Sequence, residues 1–143
     1  MSNANKGGLW SPPVLIVEDD PLIGELLMLR LESAGYRATW LKDGGQALNR
    51  IADLKPSCMV LDLGLPVIDG FQVLQTLRRH ALWKTLPIIV LTARHNADDV
   101  KRALSLGASD YVAKPFDALA LIKRIERQLA KAAQPPPAGR QWV

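Results

Sequence analysis

A chain of 143 residues with 48% hydrophobic content has the size and apolar fraction of a single domain with one core. Its net charge of +4, from 22% charged residues, falls well short of a polybasic stripe for nucleic acid or membrane, so charge alone assigns no partner class. The one cysteine, Cys58, excludes an internal disulfide, and no apolar run approaches the about 20 residues that span a bilayer, which points to a soluble protein of the reducing cytoplasm.

Met1 to Ser11 is rich in Gly, Asn and Ser and lacks the hydrophobic middle of a secretion signal, so residues 1–12 read as a flexible leader and the domain as 13–132. Val14 to Val17 is the first strand. Asp20 and Pro21 supply an N-cap and a proline at the first helical position, and Leu22, Ile23, Leu26, Leu27 and Leu31 continue at helical spacing until Gly35. Tyr36 to Trp40 makes a second strand, followed by Asp43-Gly44-Gly45 and a short helix with Ala47, Leu48 and Ile51 on one face, closed by Lys55-Pro56.

The apolar run Cys58-Met59-Val60-Leu61 ends in Asp62 and the turn Leu63-Gly64-Leu65-Pro66, as a core strand of a parallel sheet does. Asp69-Gly70 starts a third helix with Phe71, Leu74 and Leu77 inward, and Leu86-Pro87 marks its far boundary. Ile88 to Leu91 is a fourth strand ending in Thr92, and Ala97 to Leu106 a fourth helix closed by Gly107. Asp110 to Ala113 is the fifth strand, broken by Lys114-Pro115. Phe116 to Ala132 is a final helix with Leu119, Ile122, Ile125 and Leu129 inward and a solvated basic face opposite. Residues 133–143, with Pro135-Pro136-Pro137, read as a linker toward an output domain.

Alternating strands and helices with right-handed crossovers predict an α/β fold, an open parallel sheet with helices on both faces. Parallel strands share direction, so Glu18-Asp19-Asp20, Asp62, Thr92 and Lys114 all finish on one edge of that sheet. Taken singly, each has an ordinary role: Asp62 as a turn cap, Thr92 as a β-branched strand residue, Lys114 as a solvated end. Their convergence argues for a site. Clustered carboxylates repel unless a hard divalent cation sits among them, and Mg2+ suits Glu18, Asp19 and Asp62 with one backbone carbonyl of the turn. Thr92 and Lys114 add nothing to a metal site but suit the oxygens of a phosphoryl group.

Val17-Glu18-Asp19-Asp20, Asp62 to Pro66, Asp69-Gly70, Leu91-Thr92-Ala93 and Lys114-Pro115-Phe116, in this order and at these spacings, resemble the receiver domain of two-component response regulators. The resemblance implies a flavodoxin-like (βα)5 fold with strand order 2-1-3-4-5. It also implies that Asp62 takes a phosphoryl group from the phosphohistidine of a sensor histidine kinase or a histidine phosphotransfer protein. Asp19, Asp62 and the Gly64 carbonyl would then touch Mg2+ and Glu18 hold it through water, with Thr92 and Lys114 on phosphoryl oxygens and a cis peptide at Lys114-Pro115. Such a protein is a phosphoacceptor that assists its own phosphorylation and dephosphorylation, with Gly64 and Arg94 tuning water access, rather than an enzyme. Tyr111 falls at the aromatic switch position of the face built from the fourth helix, fifth strand and fifth helix. Arg124 and Asp110 match the pattern of receivers that pair on that face, whereas Ser109, Ala120 and Ala130 do not, which leaves a homodimer formed on phosphorylation as one option. Nucleic acid would be contacted only by an output domain.

Two other classes compete. A Mg2+-dependent phosphohydrolase with an Asp62 nucleophile would want a second Asp two residues on, where Gly64 stands, and no Gly-rich nucleotide loop is present. A receiver-like docking scaffold would not need all the site residues.

Overall fold

The apolar runs do become strands. In a computed structural model, which describes residues 11–93 and 96–133, β1 (Pro13–Val17), β2 (Arg37–Leu41), β3 (Cys58–Asp62), β4 (Ile88–Ala93) and β5 (Asp110–Lys114) form one parallel sheet in the order β2-β1-β3-β4-β5. They alternate with α1 (Pro21–Ser33), α2 (Gly44–Leu54), α3 (Gly70–Arg78), α4 (Ala97–Ser105) and α5 (Ala118–Ala133). This is the flavodoxin-like (βα)5 arrangement expected from the sequence. The expected leader and linker lie outside the described residues except for Ser11, Pro12 and Ala133, and so does Arg94.

Successive strand residues point to opposite faces, so each strand feeds two cores. Leu15, Val17, Met59, Leu61, Ile88 and Val90 pack with Ala47, Ile51, Val73, Leu74 and Ala103 of α2, α3 and α4. Val14, Ile16, Cys58, Val60, Ile89 and Leu91 pack with Leu27 and Leu31 of α1 and Leu121, Ile122 and Ile125 of α5. β3, in the middle, is buried along its whole length, as a strand covered on both faces must be. Cys58 is fully buried and its thiol is pushed up to about 12 by that burial, which makes it an inert core residue.

Three helices start as their aspartates predict. Asp20 accepts from Leu22 N at 2.9 Å with Pro21 behind it, Asp43 accepts from Gln46 N at 2.8 Å, and Asp69 and Gln72 close a reciprocal capping box. The Lys114-Pro115 peptide is cis, as expected.

One helix face differs from the sequence expectation. In α5 the inward residues are Ala118, Leu121, Ile122, Ile125 and Gln128, while Leu119, expected inside, is 60% exposed. The helix begins at Ala118 rather than Phe116, after an Asp117 carboxylate that accepts from Leu119 N, and it packs on the sheet through Leu121, Ile122 and Ile125, which leaves Leu119 on the outer side. α1 forms where its helical spacing predicts, with Gly24, Leu27 and Leu31 buried and Leu22 and Leu26 facing outward. β2 runs one residue later than expected, from Arg37 to Leu41.

Candidate functional site

Register brings the strand ends together. Val17 pairs with Leu61, Asp62 with Leu91 and Thr92 with Ala113, so Glu18, Asp62, Thr92 and Lys114 emerge side by side from four adjacent strands. They line one cleft of about 410 Å3 with Asp19, Asp20 and Gly64. All six residues expected to bind metal or phosphoryl oxygens therefore meet in one place. Tyr111 does not; it stands on β5 with 40% of its surface exposed.

Glu18 is 0% exposed, with Asp62 and Thr92 nearly as deep, whereas Asp19 is open to solvent. Lys114 Nζ lies 2.9 Å from Glu18 Oε1 and 3.2 Å from Asp62 Oδ2, bridging the two buried carboxylates. The second oxygen of Asp62 accepts from Gly64 N at 3.0 Å, and the second oxygen of Glu18 accepts from Asp20 N at 3.1 Å. Burial pushes the Glu18 carboxyl up to about 7, with the neighbouring Asp62 adding to the rise and Lys114 opposing it. Lys114 is raised above its ordinary value because both carboxylates favour its charged form, although burial pulls the other way.

Glu18, Asp19 and Asp62 each offer an oxygen, all within 4.8 Å of one another. A divalent cation with hard oxygen preference fits such a set, because one ammonium cannot neutralise three carboxylates. Among the described residues Thr92 Oγ1 is buried without a hydrogen-bond partner, and Glu18 Oε1 has only its ion pair with Lys114. Buried polar atoms are seldom left unpaired, so the Thr92 hydroxyl is the group of this cleft with hydrogen-bonding capacity to spare.

Two residues at this corner escaped the sequence reading. Asp99, in the first turn of α4 behind the Asn96 N-cap, also lines the cleft, and no signal in the sequence reading pointed to it. Trp40 of β2, read from the sequence only as the end of a strand, donates from Nε1 to the Glu18 carbonyl oxygen at 2.8 Å.

Comparison with known proteins agrees with this geometry. Residues 14–126 match the family model of the response regulator receiver domain. The DNA-binding dual master transcriptional regulator RpaA of Synechocystis is 39% identical over 131 residues, which is 90% of this chain and 54% of that protein. The chain thus spans about half the length of the curated relatives it matches. A protein assigned as a response regulator in Chloroflexus aurantiacus superposes with a TM-score of 0.82 at 38% identity, over 85% of this chain and 99% of that one. The receiver domain of a Pseudomonas aeruginosa sensor histidine kinase, whose structure has a magnesium ion coordinated in its active-site cleft, superposes with a TM-score of 0.78 at 32% identity, over 85% of this chain and 99% of that one.

Proposed function

The chain belongs to the response regulator receiver domain family, and from that premise we propose that Asp62 accepts a phosphoryl group from a phosphohistidine on a sensor histidine kinase or a histidine phosphotransfer protein. The observation that carries this reading is the meeting in one cleft of the Asp62 carboxylate, the Lys114 ammonium at 3.2 Å and the Thr92 hydroxyl, which has no partner among the described residues. Glu18, Asp19, Asp62 and the Gly64 carbonyl would hold Mg2+. When bound, that ion offsets the carboxylate charge and polarises the phosphoryl oxygens.

The remaining work falls to the chain. An Asp62 oxygen forms the new O–P bond as the N–P bond of the donor breaks, and the bonding pair stays with the departing imidazole nitrogen. Lys114 turns from its carboxylate partners to a phosphoryl oxygen, and Thr92 Oγ1 gives its unused hydrogen bond to another. Gly64 N already holds one Asp62 oxygen, which orients the carboxylate. The product is an acyl phosphate that water later removes at the same site.

Movement of Thr92 toward the phosphoryl group leaves space that the exposed Tyr111 ring turns into, so phosphorylation favours one of two arrangements of the face formed by α4, β5 and α5. We place residues 13–132 as the receiver, with a linker after it and the control of transcription in an output domain outside these residues. Homodimerisation through the α4, β5 and α5 face is one way of transmitting the state. Within the chain Arg124 Nη1 already holds Asp110 at 2.8 Å, so a partner would have to compete for that pair.

The test uses acetyl phosphate as a small donor with Mg2+, followed by intact mass. One metal-dependent, alkali-labile phosphoryl adduct is expected, absent from Asp62→Asn. An unmodified wild-type chain would favour a docking scaffold, and multiple turnover of unrelated phosphate esters would favour a hydrolase.

A further inference from the structure

Trp40 stands outside the set of residues that touch metal or phosphoryl group in the reading above, yet it is bonded to that site through the backbone. Its indole Nε1 donates to the Glu18 carbonyl oxygen at 2.8 Å, and the Glu18 N–H donates to the Leu41 carbonyl at 3.0 Å. Both main-chain polar groups of Glu18 are thus tied to β2, and its side chain is closed onto Asp20 N at 3.1 Å. The turn that presents Glu18 and Asp19 has little freedom left.

The indole itself is fitted into α1. A Cβ on Gly24 would fall into the ring, against Cε2 and Cζ2, and 2.6 Å from Nε1. Glycine within a helix weakens it, so its presence opposite the ring favours a close fit between the two over ordinary packing. Lys42 Nζ, 5.2 Å from the ring centroid, covers another side. Trp40 therefore wedges the first turns of α1 and the end of β1 into one rigid corner.

We propose that Trp40 is a positioning residue, which fixes Glu18 and Asp19 in the arrangement that receives the divalent cation, and that its indole N–H reports the occupancy of the site. The proposal rests on the metal site proposed above. A cation beside Glu18 and Asp19 changes the electric field at the Glu18 carbonyl and with it the bond that carbonyl accepts from the indole. Loss of that bond leaves the acidic turn to be ordered during binding, at a cost of about a 3- to 10-fold weaker affinity for a single neutral hydrogen bond.

The experiment is a Mg2+ titration of the 15N-labelled chain without any phosphodonor, following the Trp40 indole and the Gly64 amide in wild type, Trp40→Phe and Trp83→Phe. In wild type the two resonances should move along one saturation curve. Trp40→Phe, which keeps a ring but no donor, should shift the Gly64 curve about 3- to 10-fold toward higher Mg2+, and Trp83→Phe should leave it in place. An unchanged curve in folded Trp40→Phe overturns the proposal. If Trp40→Phe does not fold, the wild-type indole decides: an indole unmoved at saturating Mg2+ overturns the proposal as well. A wild-type Gly64 amide indifferent to Mg2+ would instead sink the metal site itself and this inference with it.

Discussion

Glu18 lends itself to a quantitative test because it is 0% exposed, and burial raises its carboxyl from 4.5 to about 7 despite the nearby Lys114 ammonium. Between those two pH values the folded, metal-free protein keeps a proton that the unfolded chain has released. Stability must therefore fall as pH rises through that window. At about 1.4 kcal/mol per pH unit, the loss attributable to Glu18 comes to about 3 kcal/mol and levels off once pH passes the folded value. Lys114 does not disturb this window. Its folded value is raised above 10.5, so the stability it contributes is fully present below that and lost only at more alkaline pH. Glu18→Gln keeps the side-chain shape and removes the titration, so its stability should lack this part of the slope. Urea unfolding in EDTA from about pH 5 to about pH 8, with wild type and variant side by side, measures the difference curve. Saturating Mg2+ at the alkaline end should restore wild-type stability and do less for the variant. Parallel curves for the two proteins in EDTA would show that Glu18 titrates normally and that the burial argument is wrong.

Other positions test the fold more simply. Val67 is β-branched, 97% exposed and held at φ 66, so Val67→Asn, which tolerates the left-handed region, should stabilise the protein by about 1 kcal/mol in urea unfolding. Arg78 donates to the Gly107 and Trp83 carbonyls at 2.9 and 2.7 Å, and Arg78→Met should cost about 2 kcal/mol, whereas Arg124→Met, from a pair whose arginine is 42% exposed, should cost at most about 1 kcal/mol. The phase of α5 is checked by two truncations: Leu121→Ala should cost about 2–5 kcal/mol and Leu119→Ala less than about 0.5 kcal/mol, and the reverse order would restore the sequence expectation for that helix.

The strands and helix starts were legible because their signals are local. An apolar run between turn residues, or an aspartate before a helical pattern, acts within a few residues of where it is written, as at Cys58–Asp62 and Asp69. The cleft was legible because parallel strands must end on one edge, which turns four separate polar ends into one neighbourhood. Helix faces were harder. Ala118 to Ile122 is apolar at every position, so the local pattern does not choose between Leu119 and Leu121 and packing against the sheet does, and α1 carries leucines on several sides. The role of Trp40 was not legible at all. Its partner is a backbone carbonyl 22 residues away, and a main-chain oxygen leaves no mark in a sequence.

Lys114 is shared between Glu18 and Asp62, 2.9 and 3.2 Å from their oxygens. The two buried carboxylates thus have a counter-ion that is covalently part of the chain and cannot diffuse away. On the proposed reading the corner would act as an ion exchanger. A divalent cation takes over the carboxylates and frees the ammonium, whose side chain already reaches solvent, whereas an anion arriving without a cation would draw that ammonium away and leave two buried carboxylates uncompensated. The cation is therefore expected to bind alone and the anion to depend on it.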